Sequence, residues 1–242
     1  MRVWMVLITA VIVAFGANSR CLEVAERLRV LQNEIVANSF KALKPGAWAL
    51  YKKGKVVYIG KLRSPYTHRV HHVAQIVSPK TMEEVWYDIV KRDVEVDGKK
   101  YPFWYLHLRE AFIATPNGTF YISPQLLELF LKMRGSRLTT MFTGPVVPEP
   151  MCEHLVELHN VAVTLPKGKK IEAVKIVDPK HRDRVLYVSS QVPFGMVNDL
   201  VDYGWSGAKS RLRERDRLNA KQFQPLPLPA FPVPIMPGGG KR

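Results

Sequence analysis

Tight-turn signals recur through the middle of this sequence, and each is flanked by segments rich in aromatic and β-branched residues. Lys53-Gly54, Asp97-Gly98 and Asn117-Gly118 are of this kind. Connections this short join antiparallel neighbours, because a parallel crossover needs about a dozen residues or more. "AWALYKKGKVVYIGKL" therefore reads as two strands about Lys53-Gly54. "YTHRVHHVAQIVS" and "EEVWYDIVKRDVEV" follow, "KKYPFWYLHLREAFIA" returns from Asp97-Gly98, and "TFYIS" returns from Asn117-Gly118. Pro145, Pro148 and Pro150 mark an irregular crossing. Strands then resume as "LVELHNVAVTL", "KIEAVKIVD" and "RVLYVSSQV", separated by turns at Pro166-Lys167-Gly168-Lys169 and Asp178-Pro179. Strands do not alternate with helices, and no repeat of fixed period is present, which argues against a doubly wound α/β fold and a solenoid. The expected class is mainly β (α+β), with a curved antiparallel sheet or half-barrel.

Two segments carry a helical period instead. Over residues 21–43, Leu28, Leu31 and Ile35 recur at helical spacing, Glu23 stands four before Arg27, and Pro45-Gly46 ends the run. Ser123-Pro124 opens the second, with Ser as cap and Pro at the first position; Gly135 closes it. From Pro124 to Arg134, Gln125, Glu128 and Lys132 form a narrow polar stripe, and apolar residues cover the rest. Such a helix is buried in the protein's own core or touches an apolar partner.

The ends of the chain differ from its middle. Residues 1–19 have a basic start at Arg2, an apolar run and small residues at Ala17-Asn18-Ser19, the layout of a secretory signal peptide; an uncleaved anchor is the alternative. Export to the periplasm or cell envelope is thus expected. In an oxidising compartment Cys21 and Cys152 become candidates for one disulfide, against the alternative of two free thiols. Residues 20–204 read as one β-rich domain. Residues 205–242 read as a tail, first basic, then carrying six prolines between Pro225 and Pro237 and expected to be disordered. The net charge of +15 is shared by body and tail. In an exported protein it favours solubility or an anionic membrane surface over nucleic acid, which is not an expected partner.

Residues able to do chemistry are present but form no recognised motif. His68, His71 and His72 share one predicted strand, where alternation sends His71 to the face opposite His68 and His72; a half-exposed polar strand explains them better than a metal. Cys152, His154 and His159 are ligand types at a spacing that fits no zinc pattern. Ser189-Ser190 lacks a local base, and its hydroxyls are expected to bond within the sheet. Glu83-Glu84 reads as an ordinary strand-edge pair. No G-x-S-x-G, phosphate loop or H-E-x-x-H occurs, so no catalytic residue, metal or cofactor is expected.

The stretch "YVSSQVPFGMVNDLVDYG" is the most distinctive. Pro193 cannot donate to a ladder and Gly195 permits a sharp bend, so a strand here turns a corner with the Phe194 ring directed inwards. The stretch resembles the V-P-x-G closing strand of uncharacterised exported bacterial proteins, and "PGAWALYKKGKVVYIGK" resembles their opening hairpin. Those proteins are similar in build to the periplasmic lipoprotein carrier and its receptor, a curved half-barrel with helices in its concave mouth. The resemblance covers roughly residues 45–204. It implies a binding protein for an apolar or amphipathic ligand, a lipid or lipoprotein acyl chain. Leu126, Leu129, Phe130 and Met133 on the second helix, and Phe194 at the corner, would then line or cover the cavity. The competing expectations are an envelope assembly factor that works through its Pro-rich tail and reaches an envelope protein, and a hydrolase with an unrecognised site.

Overall fold

The structure, a computed structural model, describes residues 22–96, 99–127, 156–179, 181–207 and 211–223. Helix α1 spans 22–36 and continues as a π-helical turn, Ala37–Lys41. β1 (Ala47–Tyr51), β2 (Gly54–Arg63), β3 (Val70–Val77), β4 (Met82–Val96), β5 (Lys99–Thr115) and β6 (Gly118–Ile122) follow as antiparallel neighbours. The hairpins fall where the sequence puts them, but two of the turns lie one residue earlier than expected: Lys52-Lys53 and Pro116-Asn117 form them, and Gly54 and Gly118 already pair in their strands with Tyr51 and Thr115, while Val96 pairs with Lys99. β7 (Glu157–Thr164), β8 (Lys170–Asp178) and β9 (His181–Val188) form a separate antiparallel sheet of three. β10 (Leu200–Trp205) returns to pair with β1. Beyond it come helix α2 (Glu214–Leu218) and the short β11 (Lys221–Gln222), which lies parallel to β6. The larger sheet thus runs β10-β1-β2-β3-β4-β5-β6-β11. It is curved and, among the described residues, does not close into a barrel.

One face of the large sheet is covered by α1 and the small sheet. Leu28, Ile35, Val36 and Phe40 of α1 join Ala49, Tyr58, Ala74, Tyr87 and Leu106 of the large sheet and Ile171, Ala173, Ile176 and Val188 of the small one in a continuous apolar core. Each fully buried Leu, Ile, Val or Phe among these stabilises by about 1.5–3 kcal/mol. The π turn buries Ser39 and Phe40 together and leaves the Ser39 carbonyl to accept the Phe194 N–H at 2.9 Å. Asn33 fixes α1 to the unpaired edge of β5: its side chain donates to the Pro102 carbonyl and accepts from the Trp104 N–H, both at 2.9 Å.

The opposite face carries a smaller apolar cluster, Val73, Trp86, Phe112, Tyr121 and Leu212. The last of these belongs to residues 211–223, which cross this face. The expectation that the folded body stops at residue 204 is corrected here. Trp205 ends β10, Leu212 is buried, and the Phe223 N–H donates to the Tyr121 carbonyl at 2.8 Å. The basic run looked solvated because it is dense in charge. Its Arg217 is nevertheless buried, since a carboxylate waits for it in the sheet.

Two bulges decide which residues serve which face. The β4–β5 register shifts at Trp86/Tyr87, so Trp86 pairs with Glu110 and Tyr87 with Leu108, leaving Arg109 without a cross-strand partner. One extra residue reverses strand alternation. Trp104, Leu106 and Leu108 therefore face α1, whereas Phe112 and Ala114 face the other way. A second shift in β2, between Tyr58 and Gly60, sends Tyr58 to the α1 face and Leu62 to the other. Gly60 adopts φ 118° there, a backbone conformation that favours glycine, and a Cβ would press on the Pro45 ring at 3.3 Å.

Candidate functional site

The Pro193-Phe194-Gly195 corner carries the chain from the small sheet to the edge of the large one. Phe194 and Gly195 both take positive φ, 66° and 69°. The Ser189 N–H donates to the Gly195 carbonyl at 2.9 Å, and the Val197 N–H donates to the Tyr187 carbonyl at 2.9 Å. Asn198 then completes the edge of β9 with its side chain. It accepts from the Tyr187 N–H at 2.6 Å and donates to the Val185 carbonyl at 2.8 Å. The strained Phe194 backbone is held by the packing of its ring against Phe40, with centroids 6.1 Å apart.

A second tie joins the sheets at Asp202, within β10. Lys167 and Lys169, from the β7–β8 turn, donate to the two oxygens of Asp202 at 2.7 and 3.0 Å. The two lysines, with the Tyr203 N–H, hold the Asp202 carboxyl well below the usual carboxylate range. Corner and clamp together leave a gap between the small sheet and the end of β10.

That gap is an open cavity of about 700 Å³. Val161, Val163, Leu165, Val197, Leu200 and Tyr187 supply its apolar wall. Lys52, Lys175, Asn198 and Asp199 supply polar groups. Lys52 and Asp199 satisfy each other at 3.2 Å on the exposed β1–β2 turn. Its volume falls within the range of small-molecule sites, about 300–1,000 Å³, although it is open to solvent over much of its extent. A second cavity, of about 480 Å³, lies between α1 and the small sheet. Its lining includes Glu34, Asn160, Glu172, Ser189, Ser190 and Gln191, several of them already bonded to one another. Ser190 donates to the Glu34 carboxylate and Ser189 to the Glu172 carbonyl, each at 2.5 Å. Polar groups so engaged have little left to offer a ligand.

Of the residues that the resemblance put at the cavity, only Phe194 and Leu126 are described. Phe194 is buried in the core and lines neither cavity. Leu126 is half-buried in the helical turn 124–127, whose Ser123 cap accepts the Leu126 N–H at 3.5 Å, and it too lines neither. Leu129, Phe130, Met133, Cys21, Cys152 and His154 lie outside the described residues. His159 bonds the exposed Glu157 at 3.3 Å.

The three histidines separate as alternation requires, except that His68 precedes the strand in a left-handed turn with φ 55°. His71 is buried and bonds Asp88 at 2.7 Å; Arg109, the residue released by the bulge, takes the other Asp88 oxygen at 2.6 Å. Burial raises the Asp88 carboxyl, but the His71 and Arg109 bonds outweigh it and hold it below its ordinary value. His72 stacks between Tyr58 and Tyr87 and bonds the Tyr58 hydroxyl at 2.8 Å. Burial, with the Lys61 charge nearby, lowers its pKa.

The face crossed by residues 211–223 holds what residue patterns missed. Glu84, expected on a strand edge, is fully buried and takes a forked pair of bonds from Arg217 at 2.8 and 2.9 Å. Gln75 donates to the same carboxylate at 3.2 Å and accepts the Arg211 N–H at 3.3 Å. Beside them Glu110 is equally buried, and among the described residues neither of its oxygens has an aligned hydrogen-bond donor. Tyr121 stacks on Tyr66 at 4.1 Å; burial and then the Glu110 carboxyl push its phenol upward. The only sequence signal was the phase of Glu84 with Trp86 on β4, and it does not identify a partner 133 residues away.

Among the described residues no three His, Cys, Asp or Glu side chains gather as a metal site, and no helix is long and apolar enough to cross a membrane. Compared with protein families, curated proteins and solved structures, the chain matches none.

Proposed function

We propose that the protein is an exported, non-enzymatic envelope binding protein that holds an apolar or amphipathic ligand, such as a lipid or a lipoprotein acyl chain. The observation that carries this reading is the 700 Å³ cavity walled by Val161, Val163, Leu165, Val197 and Leu200. An unfilled apolar wall costs about 25 cal/mol for each Å² left in water, so an acyl chain gains by covering it. The corner and the Asp202 clamp hold both sides of the cavity before any ligand arrives, which lowers the ordering cost of binding. Export is carried by the signal-like first nineteen residues alone.

The reading is tested by mass spectrometry of lipid extracted from the purified protein, together with titration of a long-chain alcohol. Wild type should bind the alcohol, and Val161→Trp, which fills the cavity, should not. Absence of both co-purified lipid and alcohol binding overturns the reading. A second reading, an assembly factor working through its Pro-rich end, draws on the anchoring of Phe223, which precedes the Pro-rich stretch, to β6.

A further inference from the structure

We infer that the ligand of the 700 Å³ cavity carries an anionic head group, received by Lys175. This rests on the binding reading above and adds the chemistry of the ligand's polar end.

The argument is a charge count within the cavity. Of its charged lining groups, Lys52 and Asp199 neutralise each other at 3.2 Å. Lys175 remains. It is half-buried on β8 and lines the cavity, yet its side chain makes no ion pair or hydrogen bond among the described residues. Its cross-strand neighbours are His159 and Tyr187. The nearest carboxylate on that side of β7, Glu157, is engaged with His159. Lys167 and Lys169, close by in the turn, are taken by Asp202. The asymmetry is specific: three of the lysines around the cavity are matched by a carboxylate, and one is not.

Half-burial of a lysine covers its stem and leaves the ammonium at the cavity's rim, where an anion brought to it forms a charge-assisted hydrogen bond. Alternation along β8 puts Lys175 in phase with Ala173 and Ile171, on the side of the sheet that also presents Val161 and Val163. An amphiphile seated there can place its chain along the valines and its head at the ammonium. A lysine presents a compact charge without the planar fork of an arginine, so the site accepts a carboxylate or a phosphate.

The test uses the full-length protein freed of lipid, with three probes of equal chain length: hexadecanol, hexadecanoate and hexadecyl phosphate, titrated by calorimetry. Wild type should bind at least one of the two anions about tenfold or more tightly than the alcohol, which corresponds to about 1.4 kcal/mol. The tighter anion distinguishes a fatty-acid from a phospholipid source. Lys175→Gln should bind all three alike while keeping the wild-type melting temperature, and Lys175→Arg should keep the preference. Equal binding of alcohol and anions by wild type overturns the head-group inference and leaves the binding reading standing. So does a preference that survives in Lys175→Gln. Failure of all three probes overturns the binding reading itself.

Discussion

The two faces of the large sheet are closed by different physics. Towards α1 the covering is apolar: Leu28, Ile35, Val36 and Phe40 meet a matching surface, and the small sheet extends it. On the other face a 13-residue segment is fastened by Arg217 on Glu84, with Gln75 beside them and Glu110 close by. Apolar contacts are many and non-directional, so that face can part locally around a cavity and remain folded. The ionic face has no such latitude, because a buried charge stripped of its partner costs far more than the pair contributes. The open cavity sits where closure is forgiving, and the polar node sits where it is not.

Breaking this contrast begins with Arg217. Arg217→Met leaves Glu84 uncompensated and should cost about 3–5 kcal/mol in urea denaturation. Glu84→Leu added to it should recover much of that loss, because an apolar pair removes the stranded charge; a double variant no better than the single would mean that the segment is held by other contacts.

On the forgiving face the expected effects are smaller. Asn198→Ala removes both side-chain bonds to β9 and should cost about 1–3 kcal/mol, the range for leaving buried backbone groups unpaired. Hydrogen exchange should quicken first at Tyr187, whose N–H loses its acceptor.

A pH dependence should be smaller again. His72 has a folded pKa below its ordinary 6.5, through burial and the Lys61 charge. The unfolded chain then binds the proton more readily, so the stabilising term is present above about pH 6.5 and is lost as pH falls towards the folded value. Thermal melts between about pH 7.5 and 5 should show the decline, and His72→Phe should flatten it. Asp202→Asn should have the least effect on global stability, since its lysines are exposed to solvent. It should still raise exchange at the Pro166–Lys169 turn, and the difference should shrink in high salt.

How much of this was legible varies with the range of the forces involved. Strands and turns are local, and Lys53-Gly54 and Asn117-Gly118 place their hairpins without help. The corner at Phe194 was visible as a corner, but its destination was not, because pairing of β10 with β1 spans most of the chain. The face of each side chain was legible only up to a bulge. Leu106, Leu108 and Phe112 have the same parity in sequence, yet the residue released at Arg109 sends Phe112 to the other side. Arg217 read as part of a basic tail because nothing within a helical turn of it explains its burial. The cavity was hardest to foresee: its walls come from β7, the corner and the β1–β2 turn, and only the folded arrangement brings Val161 near Leu200.

The distance between Glu84 and Arg217 along the chain also sets a clock. At about 5–20 residues per second, 133 residues take on the order of ten seconds to synthesise. Throughout that interval the first six strands can exist while their carboxylate has no guanidinium to meet. The growing polypeptide therefore carries a built-in reason to stay loose on one side until its final portion is made, and a chain cut short before Arg217 should be recognisably unfinished to any protease that samples loose structure.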